Sequence, residues 1–128
     1  MSKRRIYRLG DLQLRIMRVL WERGEGTVTE IQAALPEGKE LAYTTVATMM
    51  RKMEGRELVL HRTEGRSFIY RAKVTEDEVS HGMSEQLVER MFAGRLTDVV
   101  SHLLSMRDVS RAELAALEKL IAERKKKL

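Results

Sequence analysis

A row of small polar and basic side chains lies on one face of a predicted helix in the first half of the chain. The row consists of Thr44, Thr45, Ala47, Thr48, Arg51 and Lys52. Short side chains let a helix enter the major groove of DNA, where hydroxyl and basic groups can reach base edges and phosphates. The same row would also suit the solvated face of an ordinary surface helix, so the neighbouring segments must decide between the two interpretations.

Two arginines, Arg62 and Arg66, flank the tip of a turn that is predicted after this helix. Guanidinium groups in such a place suit the phosphates or the minor groove of DNA. Taken singly, each arginine is equally well explained as a solvated loop charge, because an exposed arginine needs no partner. Their position beside the polar helix favours the phosphate contact.

Three helices are predicted before this turn. The first runs from Asp11 to Trp21 and is ended by glycines. The second begins at Thr27, where Glu30 three residues later completes a capping box, and it stops at Pro36. The third covers about 42–55, and its apolar stripe has helical spacing. That stripe consists of Val46, Met49, Met50 and Met53.

The pattern changes to strands after the third helix. Two β-prone runs, 58–62 and 67–71, flank a predicted loop at 63–66 whose Gly65 suits a hairpin. Two helices, a tight turn and a basic hairpin are the parts of a winged helix-turn-helix domain. The sequence therefore predicts a recognition helix at about 42–55 and a wing at 58–71.

Positive charge is concentrated in the first part of the chain. Residues 1–72 hold 14 Lys and Arg against 9 Asp and Glu, whereas residues 73–128 hold 10 of each, so the net charge of +5 lies in the first part. A pI near 9.7 agrees with nucleic-acid binding, although alone it is weak support. No apolar run approaches the roughly 18 residues of a membrane span. We therefore expect a cytoplasmic protein with double-stranded DNA as partner and no membrane partner.

Residues 73–128 are predicted to form three helices without a strand, with a break at Gly94 between the first two and Ser110 as the cap of the last. The resulting fold class is mainly α, with a winged-helix DNA-binding domain at 1–72 and a helical dimerisation domain at 73–128. Three short helices make a thin core, so we expect a second copy of the chain to cover their apolar stripes. The predicted dimer interface consists of Leu96, Val99, Val100, Leu103, Leu117 and Ile121. The alternative is that these helices fold back on the winged domain of the same chain.

The sequence offers little for catalysis or cofactors. His81 and Glu85 are the only pair suited to a shared helix face near a metal, and such a pair without a third ligand is more often solvated. The glycines never cluster as a phosphate-binding loop requires. The absence of cysteine excludes disulfides, thiolate metal sites and cysteine nucleophiles. We predict no catalytic residue, no metal and no cofactor.

Three stretches closely resemble the penicillinase-repressor (BlaI, MecI and CopY) family of bacterial transcriptional regulators. They are Leu9–Trp21, the run Leu41–Met53 and the wing His61–Tyr70, and the resemblance extends over nearly the whole chain. It implies a winged helix that binds a palindromic operator, a helical dimerisation domain, and repression of nearby promoters. It also places operator-reading positions at Thr44, Thr45, Ala47, Thr48 and Arg51.

Two departures from the family limit what the resemblance implies about induction. Members that respond to β-lactams are cut at an Asn-Phe bond after a membrane sensor detects the drug, whereas this chain has His102-Leu103 at the corresponding place. Copper-responsive members end in Cys-x-Cys motifs, and this chain contains no cysteine. A sensor or protease that relieves repression is implied, while the inducing signal stays open.

The sequence thus predicts a dimeric repressor. Two rivals from other classes remain: a winged helix that only contacts proteins, which would bind every DNA with nonspecific affinity, and a small hydrolase that depends on His81 and Glu85.

Overall fold

A computed structural model describes residues 7–38 and 40–128. Within these ranges the fold is mainly helical with one antiparallel hairpin, which confirms the predicted fold class. The helices are α1 (Asp11–Arg23), α2 (Val28–Ala34), α3 (Tyr43–Gly55), α4 (Glu76–Phe92), α5 (Leu96–Met106) and α6 (Arg111–Lys126), and the strands are β1 (Val59–Glu64) and β2 (Ser67–Ala72). No helix in the described ranges is long and apolar enough to cross a membrane.

The ends of the first helices follow from local chemistry. Helix α1 runs two residues beyond the predicted end and stops at Gly24, whose positive φ of 89° turns the chain while its N–H donates to the Leu20 carbonyl. At the start of α2 the predicted capping box is present. The Thr27 hydroxyl accepts from the Glu30 N–H at 3.1 Å, and the Glu30 carboxylate accepts from the Thr27 N–H at 2.9 Å.

The hairpin loop is shorter than the sequence suggested. The prediction of a loop at 63–66 is wrong, because Glu64 and Ser67 pair with each other and leave only Gly65 and Arg66 to turn. Gly65 has a φ of 62°, which glycine adopts without strain at the first position of a type II′ turn. The wing is therefore a tight ribbon with Arg66 at its tip.

The chain divides into two compact units between Glu85 and Gln86. The core of the first unit combines buried residues of the helices and the hairpin. Its fully buried members include Ile16, Met17, Leu20, Ile31, Val46, Met50, Met53, Leu58, Val59 and Val79. Burial of each such side chain contributes about 1.5 to 3 kcal/mol before entropy is counted. Because Val74 and Val79 belong to this core, its packing continues beyond Ala72.

Two further contacts tie the hairpin and the chain after it to the helical part of the first unit. Gly26 and Tyr70 exchange two backbone hydrogen bonds of 2.9 Å, which fixes the chain between α1 and α2 against β2. The Trp21 indole donates to the Val74 carbonyl at 2.9 Å. These contacts hold the wing against α1 and the chain between α1 and α2, a position that the sequence did not predict.

The second unit is helical and thinly packed. Gly94, with a φ of 78°, separates α4 from α5 as expected, and Ser110 caps α6 through the Glu113 N–H. Within residues 86–128, all of which the structure describes, Val99 is the one buried residue. The exposed large apolar side chains are Leu87, Met91, Leu96, Val100, Leu103, Leu104, Met106, Leu114, Leu120, Ile121 and Leu128.

Candidate nucleic-acid interface

The predicted reading face of α3 is exposed. Val46, Met50 and Met53 hold the opposite side of the helix in the core, and Met49 is half-buried beside them. The helix itself begins at Tyr43, with Ala42 as its N-cap, one residue later than predicted. The outward residues are Thr44, Thr45, Thr48, Arg51 and Lys52, all exposed, together with the half-buried Ala47. This side of α3 is therefore free to approach a large ligand.

The turn before α3 is built to position that helix. The Gln32 amide of α2 donates to the carbonyl oxygens of Gly38, at 3.2 Å, and Leu41, at 2.5 Å. A Cβ atom at Gly38 would lie 2.0 Å from the Gln32 carbonyl oxygen, so glycine is required there. The Arg15 guanidinium of α1 binds the Glu37 carboxylate in the same turn at 2.7 Å. The angle between α2 and α3 is thus set by packing and by hydrogen bonds.

Two of the predicted reading residues contact each other. The Arg51 guanidinium donates to the Thr48 hydroxyl at 3.4 Å, one helical turn away. Both side chains are exposed, so this long hydrogen bond is open to replacement by a base edge or a phosphate. The contact holds the arginine along the outer side of the helix.

The structure separates the two wing arginines. Arg62 forms ion pairs with Glu25 and, at 3.2 Å, with Glu64, and its hydrogen bond to Glu25 is the main cause that raises the pKa of the guanidinium. Because side chains alternate along a strand, Arg62 lies on the face of the ribbon opposite to Phe68. Because Arg62 is paired with Glu25 and Glu64, a phosphate would have to compete with these two carboxylates for the guanidinium.

Arg66 is placed differently. No hydrogen bond or ion pair joins it to another residue in the part of the chain that the structure describes, and its side chain is exposed at the turn. It lines an open cleft of about 390 Å³ between α3, the start of α2 and the wing. The other lining residues are Thr27, Val28, Thr29, Tyr43, Ala47, Arg51, Ser67, Phe68 and Tyr70. Arg51 and Arg66 are thus brought to one cleft, whereas Arg62 is not.

Aromatic rings form the wing side of this cleft. The Phe68 and His61 rings stack with centroids 4.1 Å apart, and the Tyr70 ring lies 5.5 Å from that of His61. The pKa of Tyr70 is raised, chiefly by burial and then by the Glu54 carboxylate. Tyr43, Phe68 and Tyr70 line the cleft but were not predicted from the sequence as candidate site residues. The alternation that places Phe68 and Tyr70 on one face was a signal that could have found the last two.

The predicted dimer residues all lie on α5 and α6 but differ in exposure. Leu96, Val100, Leu103 and Ile121 are exposed, and Leu117 is half-buried. Val99 is already buried within the chain, so it offers little free surface to a partner. His102 and Leu103 lie within helix α5 and are exposed.

His81 and Glu85 form a surface pair on α4. His81 Nε2 lies 3.5 Å from a Glu85 carboxylate oxygen on α4, and the histidine is largely exposed. Within residues 7–38 and 40–128 no three His, Asp or Glu side chains come together as a metal site would require.

The family model described as penicillinase repressor matches residues 9–123. The chain belongs to this family. It is 24% identical over 122 residues to the penicillinase repressor of Bacillus licheniformis, covering 95% of each chain. It is 32% identical over 121 residues to the transcriptional regulator BlaI of Mycobacterium tuberculosis H37Rv, covering 93% of this chain and 86% of that protein.

The fold of the first unit has a counterpart among solved structures. The solution structure of the DNA-binding domain of the repressor BlaI matches with a TM-score of 0.51 and 24% identity, over 58% of this chain and 90% of that one. The comparisons confirm the family that the sequence motifs indicated. The chain is a member of a family of transcriptional repressors with a winged-helix DNA-binding domain, and this family is not enzymatic.

Proposed function

We propose that this penicillinase-repressor family member binds a palindromic operator as a homodimer and represses transcription in the cytoplasm. Helix α3 enters the major groove, with Thr44, Thr45, Ala47, Thr48 and Arg51 toward the bases and Lys52 toward a phosphate. The wing lies on the backbone and uses Arg66. The observation that carries the proposal is the exposed polar and basic side of α3, whose opposite side is anchored in the core.

Arg62 is a secondary phosphate contact in this proposal. Its ion pairs with Glu25 and Glu64 are exposed, and exposed pairs contribute little, typically below about 1 kcal/mol. Phosphates can replace these carboxylates as DNA approaches. Arg62 therefore contributes less to DNA binding than Arg66, because Arg66 forms no ion pair within the described residues that would have to break first.

A second copy of the chain covers the second unit. Eleven exposed large apolar side chains in 43 residues, with only Val99 buried, are more than a free helical unit tolerates in water. A two-fold interface through Leu96, Val100, Leu103, Leu117 and Ile121 would bury such side chains. Two linked reading heads bind a palindrome about 10² to 10⁴ times more tightly than one head.

Induction acts on this second unit. Because linking the two heads raises the affinity by this factor, a sensor or protease that loosens or cuts the helical unit lowers operator occupancy without touching α3. Leu103 belongs to the proposed interface, so a protease would reach the His102-Leu103 bond only after the two copies separate and α5 opens locally.

The proposal is tested by selecting duplexes from a random pool with the intact protein and titrating the best one. We expect a selected palindrome to bind at about 10⁻⁸ to 10⁻¹¹ M at physiological salt, against about 10⁻⁴ to 10⁻⁶ M for random DNA. Light scattering of the free protein should give the mass of a dimer. Equal weak binding to every duplex would instead favour a winged helix that contacts only proteins.

A further inference from the structure

Exposed aromatic side chains are unusual in the first unit. Thirteen large hydrophobic side chains of the described residues are exposed, and eleven of them belong to the second unit. The remaining two are Tyr43, 54% exposed, and Phe68, 46% exposed. Both line the cleft between α3 and the wing. Within the described part of the first unit, the exposed large apolar side chains are therefore concentrated at one place on the proposed DNA-binding side.

The polar residues of the cleft define the charge of its occupant. Arg51 and Arg66 supply two cations, and no Asp or Glu is among the described residues that line it. The remaining polar groups are hydroxyls, among them those of Thr29 and Ser67. Cations and hydroxyl donors beside an apolar wall complement an anion that carries a nonpolar body.

We propose that this cleft binds one sugar-phosphate unit of duplex DNA, with the phosphate at Arg66 and the deoxyribose against the rings of Phe68 and Tyr43, while Arg51 on α3 stays directed toward the bases. The inference rests on the proposed function and adds an apolar contact to its charged ones. Phe68 and Tyr43 are thus backbone-binding residues. They fix how far the wing and α3 settle onto the duplex, without reading its sequence.

The Phe68 ring is held ready for this contact. It stacks on His61, whose Nδ1 lies 2.6 Å from the Glu54 carboxylate at the end of α3. The ring is therefore positioned from the recognition helix as well as from its own strand. Such preorganisation reduces the entropic cost of ordering the ring when DNA binds.

The test compares Phe68→Ala with Thr63→Ala in the intact protein. Thr63 is the cross-strand partner of Phe68 and is also exposed, so it controls for a general loosening of the ribbon. Affinity for the selected operator and for random duplex is measured over a range of salt concentrations. We expect Phe68→Ala to weaken binding to both duplexes by about tenfold, as loss of a partly buried apolar contact implies. Thr63→Ala should leave both affinities unchanged.

The salt dependence identifies the kind of contact. Because a phenyl ring displaces no counterion, Phe68→Ala should leave the slope of log K against log salt unchanged, whereas Arg66→Ala should reduce it by about 1. Phe68→Tyr should restore the affinity. If Phe68→Ala also lowers the melting temperature, Tyr43→Ala becomes the deciding variant, because Tyr43 lies at the exposed start of α3. Tyr43→Ala should weaken binding to both duplexes in the same way as Phe68→Ala.

The outcomes separate the two proposals. Wild-type protein that binds no duplex specifically would contradict the proposed function itself. Specific wild-type binding with full affinity in Phe68→Ala and Tyr43→Ala would overturn only this inference and leave the cleft to another occupant. A loss confined to the operator would also overturn it, since the rings would then read sequence.

Discussion

The Glu54 carboxylate lies 2.6 Å from Nδ1 of His61, and this contact joins the last turn of α3 to the first strand of the wing. Both side chains are about two-thirds or more buried, so water screens the contact less than it screens a surface pair. Helix α3 and the wing are therefore held together by side chains as well as by the connecting chain. DNA that contacts both elements meets a prearranged surface.

Removal of this contact should loosen the wing. We expect Glu54→Ala to lower the free energy of unfolding by about 1 kcal/mol, the contribution of a typical protein hydrogen bond. Denaturant unfolding of the intact protein measures the change, and Glu22→Ala serves as control because Glu22 is exposed on α1. Equal midpoints for Glu54→Ala and wild type would show that the contact is not stabilising.

The reading face should respond at two coupled positions. Thr48→Ala and Arg51→Ala should each weaken operator binding by about 1 to 3 kcal/mol where a base contact is lost. Because Arg51 donates to Thr48, the double variant should lose less than the sum of the two. Operator titrations of wild type, the two single variants and the double variant give a double-mutant cycle. Circular dichroism checks that the helical content is unchanged. Unchanged operator affinity in both single variants, with normal helicity, would remove α3 from the reading role.

The capping box predicts a pH effect on stability. The Thr27 N–H, followed by the Thr27 hydroxyl, lowers the pKa of Glu30 in the folded protein. A carboxylate whose pKa is lower in the folded protein than in the unfolded chain stabilises the fold at pH values above its ordinary pKa of about 4.3. This stabilisation is lost as the pH falls through the pKa of the folded protein. Wild type should therefore exceed Glu30→Gln in unfolding free energy at pH 7, and the difference should shrink below about pH 4.

Parallel measurements on Glu22→Gln give the control for Glu30, because Glu22 is also an exposed glutamate of the first unit. A difference between wild type and Glu30→Gln that stays constant from pH 7 to pH 3 would contradict the assigned cause, since the charge of Glu30 would then not contribute.

Much of the fold could be predicted because its signals are local. Thr27 with Glu30, Gly94 and Ser110 each act on neighbours within a few residues, and all three perform the predicted task. The apolar stripe of α3 likewise follows from helical spacing alone. Elements defined by such short-range chemistry are visible in the order of the residues.

The interface was less visible because its contacts join distant positions. Arg62 and Glu25 are 37 residues apart, and no local pattern indicates that a carboxylate from the α1–α2 connection occupies this arginine. The exchange of hydrogen bonds between Gly26 and Tyr70 is equally remote. Register and tertiary packing, not propensity, determine these features.

Dimerisation should depend on the exposed apolar side chains of α5 and α6. We expect Leu103→Glu to convert the dimer to a monomer at micromolar concentration and to weaken operator binding about 10² to 10⁴-fold, because the second head is no longer linked. Thr97→Glu adds the same charge at an exposed polar position of α5 and should change neither property. Sedimentation equilibrium and operator titration provide the readouts. A dimeric Leu103→Glu protein with full affinity would place the interface elsewhere.

The central claim, a two-headed repressor of specific promoters, is tested most directly by a footprint of the intact protein on the DNA upstream of its own gene. The account predicts protection of two half-sites related by a two-fold axis, spaced by about one or two helical turns, at protein concentrations near or below 10⁻⁸ M. Protection that is absent, or that spreads evenly over the fragment only above about 10⁻⁶ M, would contradict it.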